Sequence, residues 1–335
     1  MARVRSTGTL LCGLSLLPAC GLGLFDDQKS TNTSASHERP MDAGSESDLE
    51  WSLAADPAYL SILTYNVAGL PEGISGSNPK RNTSLISPLL NPYDVVTVQE
   101  DFSYHADLVS LVDHPYQSSP NEKAHSLGDG LNTLSRIPFH TFDRLSWTAC
   151  NGTFDSGSDC LTPKGFTRAR MELGQGLVLD VYDVHMDAGH ASGDEQARAK
   201  NFAQLSQTIR KYSADVAVLV AGDFNERYRD PGDEMEKLLA ETGLTDSWVD
   251  FVHNGVLPAA NALASACDSG DPNDDGCERI DKVLFRSSSS VELMLVDYLV
   301  EGATFVDPNG AQLSDHRPVM AKFVVLPMAY SLASE

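Results

Sequence analysis

The sequence predicts an α/β domain, and two neighbouring stretches carry that prediction. Asp215 to Asn225 reads Asp-Val-Ala-Val-Leu-Val-Ala-Gly-Asp-Phe-Asn. Its run Val216 to Val220 is aliphatic without polar alternation, which suits a central strand covered on both faces, although periodicity alone also fits a buried helix. Just upstream, Gly193 to Tyr212 places Ala197, Phe202, Leu205 and Ile209 on one apolar stripe and Asp194 and Glu195 in the first turn, as a helix requires. Asp223 and Asn225 then stand at the carboxyl end of the strand, where open α/β sheets bind ligands. Residues two apart in an extended backbone point the same way, so a carboxylate and a carboxamide share a direction there. Gly, Asp and Asn also favour turns, so this stretch alone fits a turn as well as a site.

Taken in order, the first strand is Leu60 to Asn66. Lys80 to Leu90 has helical spacing interrupted by Pro88. Asp94 to Val98 is a second buried strand capped by Gln99-Glu100-Asp101. A helix is expected over Ser103 to Val112 and a strand over Gly130 to Arg136, stopped by Pro138. Thr167 to Leu173 and Leu177 to Asp187 read as an antiparallel pair around Gly174 and Gly176. A short helix over Asp233 to Glu241 and a loop holding Cys267 and Cys277 follow. Strands at Ile280 to Phe285 and Pro318 to Val325 complete the domain.

The chain has 335 residues, with 24 Lys and Arg against 47 Asp and Glu, a formal net charge of −23. That argues against a broad basic surface for phosphate backbones, but a bound dication can reverse the field locally. Arg3 and Arg5, an apolar stretch from Thr9 to Leu17 and then Pro18-Ala19-Cys20-Gly21 have the layout of an export signal, too short to span a bilayer. Leu17-Pro18-Ala19-Cys20 resembles a bacterial lipoprotein box, which implies lipidation of Cys20 and a membrane anchor; a plain signal peptide cleaved nearby is the alternative. The expected organisation is therefore a signal over 1–20, a polar tether over 21–56, a folded domain over 57–328 and a tail over 329–335, in a monomer that is exported to the cell envelope or secreted. Cys150, Cys160, Cys267 and Cys277 form two close pairs, and proximity favours Cys150–Cys160 and Cys267–Cys277 among three connectivities. A zinc site is disfavoured, since neither pair has zinc-like spacing or a nearby His.

Polar groups recur at strand ends: Asn66, Glu100, His185 with Asp187, Asp223 with Asn225, Asp281, and Asp315 with His316. Each alone is more often structural than catalytic. Tyr65-Asn66, Gln99-Glu100, Gly222-Asp223-Phe224-Asn225, Arg279-Ile280-Asp281 and Ser314-Asp315-His316-Arg317-Pro318 resemble, in order and spacing, the endonuclease/exonuclease/phosphatase superfamily. The resemblance covers about Tyr59 to Val325. It implies a four-layer sandwich of two packed, mostly antiparallel sheets flanked by helices. It also implies that Asn66 and Glu100 hold Mg2+ or Mn2+, with Asp315 or Asp223 contributing, because hard oxygen donors suit these ions. His316, oriented by Asp281, would be the general base. His185 and Asn225 would bind the phosphate, and Asp223 would stabilise or protonate the leaving oxygen.

The substrate implied is a phosphate ester. Glu100 is followed by Asp101-Phe102-Ser103-Tyr104-His105 without the Arg that nucleases of the superfamily often carry. Asp159 to Phe166, with Lys164-Gly165, looks like a sphingomyelinase loop, and Gln99 to Phe102 is similar to the same group. A phospholipid phosphodiesterase with Lys164 binding substrate is the expectation; a nuclease acting on nucleic acid, or an inositol-phosphate-type phosphatase, is the alternative. Asp271-Pro272-Asn273-Asp274-Asp275-Gly276 imitates the start of a calcium loop, but its twelfth position is Lys282, so structural Ca2+ competes there with an acidic turn.

Overall fold

Strand β1 (Ala58–Asn66) shows how the layers arise from the sequence. Leu60 and Ile62, on one side of the strand, enter the core between two sheets, whereas Leu63 and Tyr65, on the other, enter a separate cluster beneath helices. Strand β2 (Val95–Gln99) repeats the division, with Val95 in the first cluster and Val96 and Val98 in the second. This period-two partition is what a sheet covered on both faces requires. The computed structural model describes residues 58–74, 78–121, 127–152, 159–258, 267 and 271–328. All of them belong to one of the chain's two units, Ala35–Glu335.

Two six-stranded sheets result. The first joins β1 and β2 with β3 (Tyr116–Gln117), β4 (Asn132–Ser135), β11 (Val291–Val300) and β12 (Val319–Pro327), in the order β11-β12-β1-β2-β4-β3. The second contains β5 (Phe139–Ser146), β6 (Gly165–Gly174), β7 (Leu177–His185), β8 (Ala217–Asp223), β9 (Thr245–Asp246) and β10 (Asp281–Arg286), in the order β5-β6-β7-β8-β10-β9. Each sheet is antiparallel except for one central parallel pair, β1 with β2 and β7 with β8. Helices α1 (Pro79–Ile86) and α2 (His105–Leu108) cover the first sheet through Ile86 and Leu108. Helices α3 (Ser192–Tyr212), α4 (Glu234–Thr242) and α5 (Ser247–His253) add Phe202, Leu205, Leu238 and Trp248 to the larger core. This is the four-layer sandwich expected.

The central run is a strand, not a helix: every residue of β8 is buried, between parallel β7 and antiparallel β10. At the start of α3, Asp194 accepts the Ala191 N–H at 2.9 Å and caps the first turn. The helix expected over Ser103 to Val112 is only the single turn of α2. Its continuation is lost because Ser87 Oγ takes the Leu111 N–H at 2.9 Å and Asn91 takes the Leu111 carbonyl at 2.9 Å. Strands β3, β5, β9 and β11 and helix α5 were not anticipated. In β11 a register shift between Leu295 and Asp297 breaks the alternation that would reveal an edge strand. Helix α5 is short, and its start depends on Asp246 accepting the Trp248 N–H at 2.8 Å.

Both disulfides pair as proximity suggested, with Cα–Cα distances of 5.4 Å for Cys150–Cys160 and 5.2 Å for Cys267–Cys277. Each closes a small ring and contributes roughly 2–3 kcal/mol on the chain-entropy account. In the acidic loop, Asp271 accepts the Asn273 N–H at 2.9 Å and Asp274 the Gly276 N–H at 3.0 Å, so these carboxylates close turns on their own amides. Among the described residues no helix is long and apolar enough to cross a membrane. The signal, Cys20, the tether and the tail lie outside the described residues.

Candidate active site

The strand registers bring the polar ends together. Asn66 lies opposite Gln99, so Glu100 emerges beside it; His185 lies opposite Asp223, which lies opposite Asp281. The carboxyl ends of β1, β2, β7 and β8 therefore meet the amino end of β10 at one edge of the sandwich. His316 enters from the segment before β12, which is tied down by Ser314: its hydroxyl donates to the Asn66 carbonyl at 2.7 Å and accepts the His316 N–H at 3.1 Å.

Local backbone chemistry enforces this geometry. Ala68, Glu100 and Asn225 all have positive φ, of 50°, 57° and 50°. Non-glycine residues hold that conformation at some cost, and such strain concentrates at functional sites. Gly222 has φ of 152°, and a Cβ there would stand 2.0 Å from the Val184 carbonyl oxygen. Only glycine lets β8 approach β7 closely enough to set Asp223 beside His185.

Asn66 spans the two sheets. Its Nδ2 donates to Glu100 Oε1 at 3.1 Å and to Asp223 Oδ2 at 3.2 Å, while its Oδ1 accepts the Ala68 N–H at 3.0 Å. In this orientation Asn66 is a donor that offsets two converging carboxylates, and Glu100 and Asp223 present the anionic oxygens. His185 Nε2 lies 3.6 Å from Asp223 Oδ2 and 3.9 Å from Glu100 Oε1. Its Nδ1 is buried without a hydrogen-bond partner among the described residues. Burial, aided by the charges of Lys164 and His316, holds the His185 pKa well below its ordinary value, so the ring is neutral and can donate one proton toward an anion.

His316 has the opposite character. Its Nδ1 faces both Asp281 oxygens, at 3.0 and 2.9 Å, and its Nε2 lies 3.8 Å from Asp223 Oδ2. Burial alone would lower its pKa, but Asp281, then Asp223, outweigh burial and push it up to about 10. Asp223 itself is raised to about 6, first by burial and then by Asp281, against the lowering effect of His316. Asp223, Asp281 and His316 also form a group compact enough to hold a cation. Both oxygens of Asp281 already face Nδ1 of His316 within that group.

Lys164 and Asn225 converge on one carbonyl: Lys164 Nζ donates to Met186 O at 3.4 Å and Asn225 Nδ2 at 3.2 Å. Asp315 is exposed, and its contact with Ser314 Oγ spans 3.3 Å. Asp187 accepts the Asn151 N–H at 2.9 Å, beside the first disulfide. Sequence reasoning missed Trp147, whose indole Nε1 donates to the His185 carbonyl at 2.7 Å, because it follows an unrecognised strand. It also missed Ser314 as an anchor, although Ser314 stands in the motif that supplied His316.

Glu100 and Asp223 form a hard, oxygen-rich donor pair with Asn66 between them, and that set fits Mg2+ or Mn2+. Among solved structures, beta toxin from Staphylococcus aureus with bound magnesium ions is similar at TM-score 0.54 and 19% identity, covering 79% of this chain and 99% of that one. TDP2 from D. rerio complexed with a single-strand DNA product is similar at TM-score 0.57 and 17% identity, covering 79% and 99%. At such identities the likeness concerns the fold. A sphingomyelinase from Mycobacterium tuberculosis is 38% identical over 271 residues, which are 78% of this chain and 52% of that protein, so the chain spans about half the length of this relative. Residues 80–275 match the family described as Endonuclease/Exonuclease/phosphatase family 2, and together with the 38% identity this establishes that the chain belongs to that family.

Proposed function

We propose that this protein is an exported, Mg2+-dependent phosphodiesterase that releases phosphocholine from sphingomyelin. The observation that carries the reading is the His316–Asp281 pair, at 2.9 Å, facing the Asp223, Asn66 and Glu100 cluster. Asp281 fixes the imidazole with Nδ1 inward, which leaves Nε2 to take a proton from water as its oxygen attacks phosphorus. His185 and Asn225 hold phosphoryl oxygens, and Lys164 adds positive charge on the same side. The departing alkoxide takes its proton from solvent water as its bond to phosphorus breaks, because Asp223, serving beside Glu100 as an anionic oxygen donor, has no proton to give. Glu100 and Asp223 would hold a dication, which would supply positive charge against the phosphoryl oxygens and would oppose protonation of the neighbouring imidazole.

The lipid substrate is supported by the 38% identity to a sphingomyelinase and by Lys164 at the site. A nuclease is the second reading, favoured by the fold likeness to TDP2 with DNA, and opposed by the net charge of −23. Parallel assays decide between them. Phosphocholine release from sphingomyelin is expected, with no nicking of plasmid DNA; nicking without lipid hydrolysis would reverse the assignment. Export through a lipidated Cys20 is supported by the Leu17 to Cys20 motif and by two disulfides, which persist in oxidising compartments. Palmitate labelling in a bacterial host should mark the wild type and not Cys20→Ser; equal labelling of both would remove the anchor.

A further inference from the structure

A polar bridge crosses the apolar core just behind the site. Gln99 Nε2 donates to Asp183 Oδ1 at 2.6 Å and to Thr64 Oγ1 at 3.1 Å, and Thr64 Oγ1 returns a bond to Gln99 Oε1 at 3.3 Å. All three residues are fully buried. Thr64 and Gln99 belong to the first sheet and Asp183 to the second, so this contact joins the sheets. Its place is specific: Gln99 immediately precedes the strained Glu100, Thr64 is two residues before Asn66, and Asp183 is two residues before His185 on the same side of β7. Thr167, opposite Asp183 in the register, adds a buried hydroxyl with no partner among the described residues. Polar groups left between two sheets are costly compared with an apolar core, and an arrangement that retains them suits specificity of geometry better than stability.

We propose that Gln99 and Asp183 are a positioning pair for the reaction: their hydrogen bond sets the separation of the two sheets at which Glu100 and Asn66 face His185 and Asp223. Burial, the largest influence, holds the Asp183 carboxyl well above the usual range, against the hydrogen bond from Gln99. Neither residue touches substrate; both act through the groups one or two positions along their strands. The inference rests on the site being a phosphodiesterase centre, and does not depend on the lipid.

The test uses the full chain with Mg2+ and bis(p-nitrophenyl) phosphate as a probe that needs no lipid recognition. Asp183→Asn keeps an acceptor for Gln99 and is expected to retain kcat within about threefold. Asp183→Leu should lower kcat by roughly 10- to 100-fold with KM little changed, as misplacement of catalytic groups does. The decisive variant replaces both partners, Gln99→Leu with Asp183→Leu, because an apolar pair can restore stability lost by a single change. Recovery of the melting temperature without recovery of kcat supports positioning; recovery of both together overturns it. If the double variant does not fold, Asp183→Asn decides, since a kcat loss as large as that of Asp183→Leu would also overturn the proposal. Failure of the wild type to hydrolyse the probe would instead count against the phosphodiesterase reading.

Discussion

His316→Ala is expected to lower kcat for sphingomyelin by roughly 100- to 10,000-fold, the range spanned by general acid–base catalysis. The prediction follows from what the ring touches. Nδ1 is held by Asp281 at 2.9 Å and Nε2 is directed at the cluster, so removing the ring removes the group placed to accept the proton. Asp281→Asn should cost less, because the ring remains, but it should displace the pH dependence. Asp281 raises the His316 pKa, so its removal makes the base available at lower pH, and the acidic limb of the pH–rate profile should move down. An unmoved limb would mean that Asp281 does not orient the base. The same pair has a stability signature in metal-free protein. His316 has a folded pKa raised from 6.5 to about 10, so its contribution is fully present below pH 6.5 and is lost as pH rises toward 10. The stability advantage of wild type over His316→Ala, measured by urea denaturation in EDTA, should therefore shrink across that window.

The elements that were legible share a feature: their signal is local. The aliphatic run of β8 and the striped face of α3 can be read from short windows, and Gly222 marks where β8 must come close to its neighbour. Motif spacing placed Asn66, Glu100, Asp223, Asp281 and His316 on strand ends, and the registers bring those residues together. What was illegible depends on contacts distant in sequence. The end of α2 is decided by Ser87 and Asn91, whose bonds to Leu111 cannot be seen in the helical pattern itself. Trp147 reaches the site only because β5 pairs with β6, which delivers its indole to the His185 carbonyl. Gln99 reads as part of a strand-end cap, whereas its side chain crosses the core to a carboxylate 84 residues away in the chain. The orientation of Asn66 is a further example, since its amide bridges carboxylates from two sheets.

Removal of the divalent cation should abolish turnover, and Glu100→Gln should reproduce most of that loss in the presence of ordinary Mg2+. Glu100 and Asp223 send oxygens toward one Asn66 nitrogen, at 3.1 and 3.2 Å, with a neutral His185 behind them. Two carboxylates brought this close repel, and a single amide offsets that repulsion only in part. A hard dication satisfies the same oxygens far better, so affinity should depend on both charges. Neutralising Glu100 removes one of them, and a loss of at least about 100-fold in kcat/KM is expected, comparable with the removal of a strong electrostatic contact in a transition state. A second readout separates ligation from chemistry. Mg2+ at about 100 times its Kd should stabilise the wild type by about 2.7 kcal/mol, seen as a rise in Tm, because it binds the folded state selectively. Glu100→Gln should show little rise at the same concentration, yet in EDTA it should be at least as stable as wild type, since the variant no longer confines two charges. Asp315→Asn distinguishes the exposed carboxylate from this pair: an undiminished Mg2+-dependent rise in Tm would remove Asp315 from the ligand set, and a rise abolished as fully as in Glu100→Gln would place it there. If Glu100→Gln kept the full rise in Tm, the cation would have to bind elsewhere, and the compact group of Asp223, Asp281 and His316 would become the site to test.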